Sequence, residues 1–204
     1  SAPHGPIAGD FNRLNALAAL KAAVHVGVPE TVAREALASL PTVRGRVERI
    51  DEGQPFTVVV DYAHTPDSLK ALYGAFPDKK LICVLGNTGG GRDRWKRPEM
   101  GKIANEMCTT VILTNEDPYD EDPLAILKEM SEGMSRTPTI ILDRREAIRQ
   151  ALHNAQDLSI DQDVAVLISG KGTDPYIMGP RGEKTPWSDA TVTREELKKS
   201  MDKA

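Results

Sequence analysis

The chain has 204 residues, of which 40% are hydrophobic and 4% aromatic, and it carries a formal net charge of −4. This length suffices for one α/β domain with its own core and an additional segment. The moderate acidity argues against nucleic acid as the main partner. No apolar run approaches a membrane span and no signal peptide pattern opens the chain, which predicts a cytoplasmic protein without a membrane partner.

The sequence contains two cysteines, Cys83 and Cys108, which lie in or beside apolar strand patterns. We expect both to be buried small hydrophobic residues in a reducing compartment. The pattern indicates neither a disulfide framework nor a metal site.

The first predicted elements are two helices at residues 12–26 and 29–40, with no strand between them. Alanine and leucine recur there at helical spacing, and a glycine and a proline separate the two segments. A helical hairpin without a sheet of its own is typical of the end of a preceding domain. Residues 41–45 are then the candidate boundary.

The rest of the chain alternates predicted strands and helices. It opens with strands at 46–50 and 56–60 around a turn, and strands follow at 81–85, 110–114, 139–142 and 164–169. Helices begin after Thr65, near Arg97, after Asp122 and after Asp143; a glycine-rich hairpin at 178–184 and a last helix capped by Thr193 with Glu196 follow. These repeats predict an α/β fold with a Rossmann-like, doubly wound, mostly parallel sheet and an antiparallel edge hairpin, preceded by the helical hairpin.

Chemically active side chains follow four of the predicted strands, in residues 61–67, 86–97, 115–119 and 170–174. Ligands of parallel sheets bind beyond the carboxyl ends of the strands, where these four segments would meet. The coincidence favours a small-molecule site over a domain that binds nothing.

The segment 86–97 combines a glycine loop with a cluster of cations and the start of a helix. Loop amides, a helix N-terminus and arginine side chains together suit an anionic ligand. A solvated basic loop is the alternative interpretation. The segment is not a P-loop, because no Gly-Lys-Ser/Thr closes it.

Five segments resemble motifs of the Mur ligase family. They are D-Y-A-H-T-P-D at 61–67, G-R-D-R-W-K-R-P-E-M-G at 91–101, G-K-G at 170–172, F-N-R-L-N-A at 11–16 and G-R-V-E at 45–48. Their order and spacing match over essentially the whole chain. The pattern is most similar to the members that add a diamino acid, L-lysine or meso-diaminopimelate, to UDP-N-acetylmuramoyl-L-alanyl-D-glutamate in peptidoglycan synthesis.

This resemblance covers only the last part of such an enzyme. It implies that residues 1–44 are the helical tail of a central ATPase domain and that residues 45–204 are the Rossmann-like C-terminal domain. The full reaction uses ATP and Mg²⁺ to activate the carboxylate of the UDP-N-acetylmuramoyl dipeptide, which the amino acid then attacks. The P-loop and the metal ligands of the central domain are absent from this sequence. We therefore expect the chain alone to be inactive, with no catalytic residue or metal ligand of its own.

The resemblance also implies two sets of binding residues. For ATP they are Asn15, Arg46, Asp61 and His64. For the amino-acid substrate they are Arg92, Glu116, Asp117, Tyr119, Gly170 and Asp174. Arg92 matches the arginine that holds the carboxylate of the amino acid. For His64, a turn histidine bonded to the backbone is an alternative to direct ligand contact. The other cations, Arg94, Lys96 and Arg97, either keep the loop solvated or fix it through ion pairs.

Two departures from the family pattern concern the amino acid. Residues 116–119 read Glu-Asp-Pro-Tyr where diaminopimelate-adding enzymes read D-N-P-R, and residues 173–174 read Thr-Asp in place of H-E. The pocket then sets Arg92 against three acids, at positions 116, 117 and 174. Charge balance favours a lysine-like substrate with one carboxylate. The alternative is that Arg94 or Lys96 replaces the lost arginine.

Two other functional classes remain open. One is a stand-alone ligand-binding or regulatory module of the same fold without catalysis, against which the apolar face of the helical hairpin argues. The other is a sister ligase, such as folylpolyglutamate synthase or a lipid-linked muramyl ligase, and the motifs at 61–67 and 92–101 argue against folate. The sequence leaves the oligomeric state open.

Overall fold

The computed structural model describes residues 10–40, 43–91 and 93–201. The helices are α1 (Asp10–His25), α2 (Glu30–Ser39), α3 (Pro66–Gly74), α4 (Lys96–Met107), α5 (Pro123–Ser131), α6 (Arg144–Leu158) and α7 (Asp189–Met201), with a 3₁₀ turn at Pro180–Gly182. The strands are β1 (Glu48–Arg49), β2 (Thr57–Asp61), β3 (Lys80–Leu85), β4 (Thr110–Leu113), β5 (Thr139–Ile140), β6 (Val164–Ser169), β7 (Tyr176–Met178) and β8 (Lys184–Pro186).

The first six strands form one sheet in the order β1-β2-β6-β3-β4-β5, and β7 and β8 form a separate hairpin. Strand β1 runs antiparallel to β2, whereas all other neighbours in the large sheet are parallel. Asp61 is in register with Ser169, and Leu85 with Leu113. The carboxyl ends of β2, β6, β3 and β4 therefore meet at one edge, and the predicted fold class is confirmed.

Helices cover both faces of the sheet. Helices α3, α4 and α5 pack on one face, where the core includes Leu69, Met100 and Leu127, and α6 and α7 pack on the other. Strand β6 lies between β2 and β3 and is buried along its whole length. A strand enclosed on both faces needs apolar side chains at successive positions, which explains the uninterrupted apolar run at 164–168 before Ser169.

Three of the predicted helix starts have the expected caps. Thr65 forms a reciprocal capping box with Ser68, Asp122 accepts a hydrogen bond from the Leu124 amide, and Asp143 accepts one from the Glu146 amide. Each bond satisfies an amide that the first helical turn leaves without a partner.

The predicted start of the last helix was wrong. Helix α7 begins at Asp189, four residues before Thr193, which is fully buried inside the helix. The hydroxyl of Ser188 accepts a bond from the Thr191 amide at 3.3 Å and takes the capping role. The carboxylate of Asp189 is fixed by Arg144 at 2.7 Å, so a tertiary ion pair sets this helix start.

The expectation for the cysteines was half right. Cys83 in β3 and Cys108 after α4 are both buried, as predicted, but they are joined in a disulfide. The turn after α4 returns the chain beside β3, where the Thr109 amide bonds the Leu81 carbonyl. Tertiary contact therefore joins two residues whose separation of 25 in sequence carries no pairing signal.

None of the helices in the described ranges combines the length and the apolar character needed to span a membrane. The predicted boundary at 41–45 lies partly outside the described residues.

Candidate functional site

Two neighbouring cavities open at the carboxyl edge of the sheet. The first, which we call the helix-side cavity, has a volume of about 700 Å³ and lies between α1, α2 and the loop after β2. The second, the loop cleft, has a volume of about 890 Å³ and lies among the loops that follow β2, β3, β4 and β6. Each has the size of a small-molecule site.

The helix-side cavity brings together all four residues that the family resemblance assigns to ATP. Asn15 comes from α1, Arg46 from the segment before β1, and Asp61 and His64 from the end of β2 and its loop. Most of the remaining wall is apolar, with Ala16, Ala19, Leu37, Leu40 and Val43. The cavity therefore combines a mostly apolar wall with a few polar groups.

The Asp61 carboxylate organises the backbone around this cavity. It accepts bonds of 2.7 Å from the amides of Val47 and Ala63. Burial raises the pKa of Asp61, and these two amide bonds partly offset the increase. Val47 has a φ of +47°, a strained conformation for a β-branched residue, and its bond to Asp61 helps to hold it. Sequence reasoning missed this structural role.

His64 and Arg46 are held by their own local contacts. The Nδ1 atom of His64 lies 2.8 Å from the Tyr62 carbonyl oxygen, which is the backbone-bonded arrangement that the sequence left as an alternative. The His64 ring meets the Tyr62 ring edge-on at 4.8 Å, and the Arg46 guanidinium lies 4.8 Å from the same ring. Such cation–π and edge contacts fix both side chains before any ligand binds.

Tyr62 forms part of the wall of both cavities. Its other side faces the loop after β6, where a Cβ added to Gly172 would lie 2.7 Å from the Tyr62 Cβ. Gly172 also has a φ of +51°, so both the backbone and the available space require glycine here. The second glycine of the G-K-G motif thus leaves space for the Tyr62 side chain, which separates the two cavities and which we call the Tyr62 partition.

The loop cleft brings together five of the six residues assigned to the amino-acid substrate. They are Glu116, Asp117, Tyr119, Gly170 and Asp174. Arg92, the sixth, lies outside the described residues. Lys96 and Trp95 at the start of α4 line the opposite part of the wall.

The charge balance drawn from the sequence, which set Arg92 against the acids at 116, 117 and 174, left out a buried cation, Lys171. The Lys171 ammonium donates to both carboxylate oxygens of Asp117 at 2.8 Å, and it lies 3.5 Å from an oxygen of Asp174. Lys171 is 1% exposed, and Asp117 also accepts a 2.8 Å bond from the Met178 amide. The charge of Asp117 is therefore used to join the loops after β4 and β6, and the charge balance no longer favours a lysine-like substrate.

Glu116 is a buried acid with one carboxylate oxygen that lacks a hydrogen-bond partner within the described ranges. It is 3% exposed, and burial raises the pKa of its carboxyl group, with nearby Arg144 acting in the opposite direction. One carboxylate oxygen accepts a 3.0 Å bond from the Thr88 hydroxyl, and the other has no partner in the described structure. A Cβ on Gly170 would lie 2.2 Å from that second oxygen, so glycine is needed there to leave Glu116 its place.

The cations of the glycine loop fix the loop through ion pairs. Arg97 is fully buried and bonds Glu121 at 2.9 Å and Glu129 at 2.8 Å, while Arg94 pairs with Glu129 on the surface. Glu121 also accepts a bond of 2.8 Å from the Gly91 amide. The pKa values of both glutamates are lowered, for Glu121 chiefly by Arg97 and for Glu129 chiefly by Arg94. Arg94 is thereby turned away from the cleft.

Sequence reasoning also missed a buried pair beneath the cleft. Arg144 bonds Asp189 at 2.7 Å and the carbonyls of Ser169 and Asn115 at 2.8 and 3.1 Å. It ties the ends of β6 and β4 to α7. The capping pattern at 143–146 predicted the helix that carries Arg144, but no local pattern indicates which partner lies 45 residues away.

Within the described part of the chain, no group of three histidine, cysteine or carboxylate side chains is placed to hold a metal ion. The arrangement of the two cavities is suited to binding and positioning ligands. Both cavities are built from the loops at one edge of the sheet.

Comparison with known proteins identifies the family. Residues 45–172 match the family described as Mur ligase, glutamate ligase domain. The diaminopimelate-adding UDP-N-acetylmuramoyl-L-alanyl-D-glutamate ligase of Thermosynechococcus vestitus is 42% identical over 204 residues, which cover 96% of this chain and 39% of that protein.

Two solved structures extend the comparison. A UDP-N-acetylmuramoyl-L-alanyl-D-glutamate–2,6-diaminopimelate ligase superposes with a TM-score of 0.71 at 32% identity, over 97% of this chain and 40% of that one. The Mycobacterium tuberculosis folylpolyglutamate synthase, solved with ADP and AMPPCP, superposes with a TM-score of 0.67 at 25% identity, over 83% and 39%. The chain spans about two fifths of the length of the relatives it matches. From its motifs, its sheet order and these matches, the chain belongs to the Mur ligase family.

Proposed function

We propose that this chain is the C-terminal, ligand-binding part of an ATP-dependent ligase that joins meso-diaminopimelate to UDP-N-acetylmuramoyl-L-alanyl-D-glutamate. The observation that carries the proposal is that the family motifs, which are dispersed in sequence, line two adjacent cavities at one sheet edge. The names of the related ligases supply the substrates.

In this proposal the helix-side cavity takes the nucleotide. Its apolar wall suits the flat face of a purine, and Asn15 and Arg46 are polar groups within reach of the base, ribose or phosphates. In the full-length enzyme, the substrate carboxylate would take the γ-phosphoryl group of Mg²⁺-bound ATP to give an acyl phosphate, and ADP would leave. The described residues of this chain offer no metal cluster, so they bind and orient, and the phosphoryl transfer belongs to a P-loop domain.

The loop cleft takes the amino acid that attacks the acyl phosphate. Arg92 is assigned to its carboxylate by the family resemblance, and Glu116 and Asp174 are acids in the wall of the same cleft. Holding the amine close to the activated carboxylate is how such a domain would accelerate the reaction.

Residues 1–44 belong, in this proposal, to the tail of the central ATPase domain, and residues 45–204 form the C-terminal domain. Leu14 is 67% exposed and Val26 is 77% exposed on the helical hairpin. Apolar side chains of this size are usually covered, and the remainder of a central domain would cover them. The substrates are nucleotide-linked and ATP is required, so we place the full-length enzyme in the cytoplasm.

The experiment is an assay of peptide-bond formation by the full-length protein with ATP, Mg²⁺, the UDP-linked dipeptide and meso-diaminopimelate. Arg92→Ala should raise KM for the amino acid about 10- to 100-fold, the effect of losing a charge-assisted contact of about 1.5–3 kcal/mol. Arg92→Lys should restore little, because an ammonium cannot reproduce the two-pronged contact.

The matched variant for the other cavity is Asn15→Ala, which should act on KM for ATP and leave KM for the amino acid nearly unchanged. Asp61→Ala is not a suitable probe, because it also removes two backbone bonds. Failure to form any tripeptide, or turnover with a folate and glutamate instead, would refute the proposed function.

A further inference from the structure

The Cys83–Cys108 disulfide closes the chain segment that carries the glycine loop and its cations. Cys83 lies in β3, just before the loop that begins at Gly86, and Cys108 is the first residue after α4. Between them the chain supplies part of the wall of the loop cleft, from Thr88 to Lys102. The bond therefore joins the two ends of a segment that forms one wall of the candidate site.

A disulfide is unexpected in the compartment that we propose for the full-length enzyme. Cytoplasmic thiols are kept reduced, and the disulfides that form there are usually transient and redox-sensing. Cys83 and Cys108 are the two cysteines of this chain, and the fold alone brings them together. One bond of this kind in a domain with an ample apolar core is better explained as a reversible link than as part of a disulfide framework.

The two sulfur atoms differ in how close they lie to the protein surface. Cys83 is fully buried in β3, between β6 and β4, whereas Cys108 is 3% exposed at the end of α4. The exposed side chain of Arg136 covers this helix end. Its guanidinium donates to the carbonyl oxygens of Cys108 and Thr109 at 2.7 and 3.1 Å, and to that of Asn105. A reductant therefore reaches the Cys108 sulfur first, when Arg136 releases the end of α4.

We infer that this disulfide is a reversible redox switch of the loop cleft. The thiolate of a cellular dithiol attacks the Cys108 sulfur, and the sulfur of Cys83 leaves as a thiolate. The second thiol of the reductant then displaces Cys108. The protein gains two electrons and two protons, and the dithiol becomes a disulfide, whose reaction with the two protein thiols reverses the exchange.

Reduction should loosen the glycine loop and α4 while the sheet stays folded. The oxidised chain holds the segment at both ends, whereas the reduced chain holds it through packing and the ion pairs of Arg97. A cross-link over 25 residues limits how often the enclosed segment opens. We therefore expect the amides of α4 to exchange hydrogen about 10- to 100-fold faster after reduction. Amides of α1, which lies outside the closed segment, should stay within about twofold.

The test compares the full-length enzyme equilibrated with glutathione disulfide and with dithiothreitol. Peptide mass spectrometry reports the state of Cys83 and Cys108, and hydrogen exchange and kcat/KM with meso-diaminopimelate are then measured on both forms. The reduced form should have a kcat/KM lower by about fivefold or more, the lower end of typical coupling between distinct sites. The kinetic measurement rests on the proposed function, whereas thiol mapping and hydrogen exchange are independent of it.

Two kinds of variant separate this switch from a general effect of oxidant. Cys83→Ala/Cys108→Ala cannot form the bond, so its kcat/KM should be the same with glutathione disulfide and with dithiothreitol. Arg136→Ala keeps both cysteines and removes the cover from the end of α4. It should speed reduction of the disulfide about tenfold or more, because three hydrogen bonds are lost. Arg136→Lys retains one donor group and should give an intermediate rate.

Three results would overturn the inference. The first is a pair of thiols that persists with excess glutathione disulfide, or a bond that resists excess dithiothreitol in the folded protein. The second is an equal kcat/KM for the two forms, which is what a purely structural disulfide predicts. The third is a double cysteine variant that responds to oxidant as the unaltered enzyme does. If neither form makes tripeptide, the proposed function is refuted, and the exchange of the α4 amides then decides this inference.

Discussion

Breaking the Asp117–Lys171 pair should destabilise the folded chain strongly. Lys171 is 1% exposed and donates to both Asp117 oxygens at 2.8 Å. Removing one member of a buried pair leaves the other charge unpaired and costs about 3–5 kcal/mol. We expect about 3 kcal/mol for Lys171→Met, at the low end, because Asp117 keeps its bond to the Met178 amide. Asp117→Asn should cost about 2–3 kcal/mol, since Lys171 then has Asp174 as its nearest carboxylate.

The assay is urea unfolding followed through the emission of Trp187, which is partly buried and bonded to Asp189. With a slope of about 2–3 kcal/mol per M, Lys171→Met should lower the midpoint by about 1–1.5 M. The double variant Asp117→Asn/Lys171→Met removes both charges and should recover about 2 kcal/mol of the summed single losses. Single losses that add within about 0.5 kcal/mol would show that the pair is not coupled, and the reasoning would then fail.

Four further outcomes are expected. The isolated chain should fold but hydrolyse no ATP, and turnover abolished by a substitution within it would contradict this. Arg97→Lys should speed proteolysis at the glycine loop, measured by cleavage mapping, because one ammonium cannot bond both Glu121 and Glu129; unchanged cleavage would argue against the clamp. Reduction of the buried disulfide should lower stability by about 3 kcal/mol, judged from the loop of 25 residues and measured by urea unfolding with and without reductant. Burial raises the pKa of Glu196, but bonds from Arg149, Lys199 and Arg145 lower it to about 2. The ionised Glu196 therefore stabilises the folded chain fully above the unfolded pKa of 4.5, and this part of the free energy of unfolding is lost as pH falls toward 2. Glu196→Gln should flatten that part of the stability–pH curve, and an unchanged slope would rule the contribution out.

Much of the fold follows from local patterns in the sequence. The apolar run at 164–168, closed by Ser169, predicts β6 to the residue, because a strand covered on both faces needs apolar side chains along its length. Thr65 and Asp143 start helices through bonds to amides only three residues away. Helix α7 was misplaced because its start depends on a distant residue, Arg144.

The site was predictable in its location and less so in its charges. Parallel strands bring their carboxyl ends to one edge, so the meeting of four loops follows from the alternation of strands and helices alone. Which acids remain free is decided by pairing across loops. Asp117 was assigned to a substrate because Lys171, which neutralises it, follows a different strand 54 residues later. The signal that could have indicated this pair is Lys171 itself, the cation in the G-K-G motif at 170–172, for which the sequence suggested no partner.

Because Tyr62 lines both cavities, a ligand that displaced its ring in one cavity would change the free energy of binding in the other. Its ring borders both, and it is contacted by Arg46 on one side and crowded by the Gly172 backbone on the other. If a ligand in one cavity changes the binding free energy of a ligand in the other, linkage requires the second ligand to change the binding free energy of the first by the same amount. An affinity measured with one cavity empty is then a different quantity from the affinity during turnover, and the ratio of the two reports how firmly one tyrosine is held.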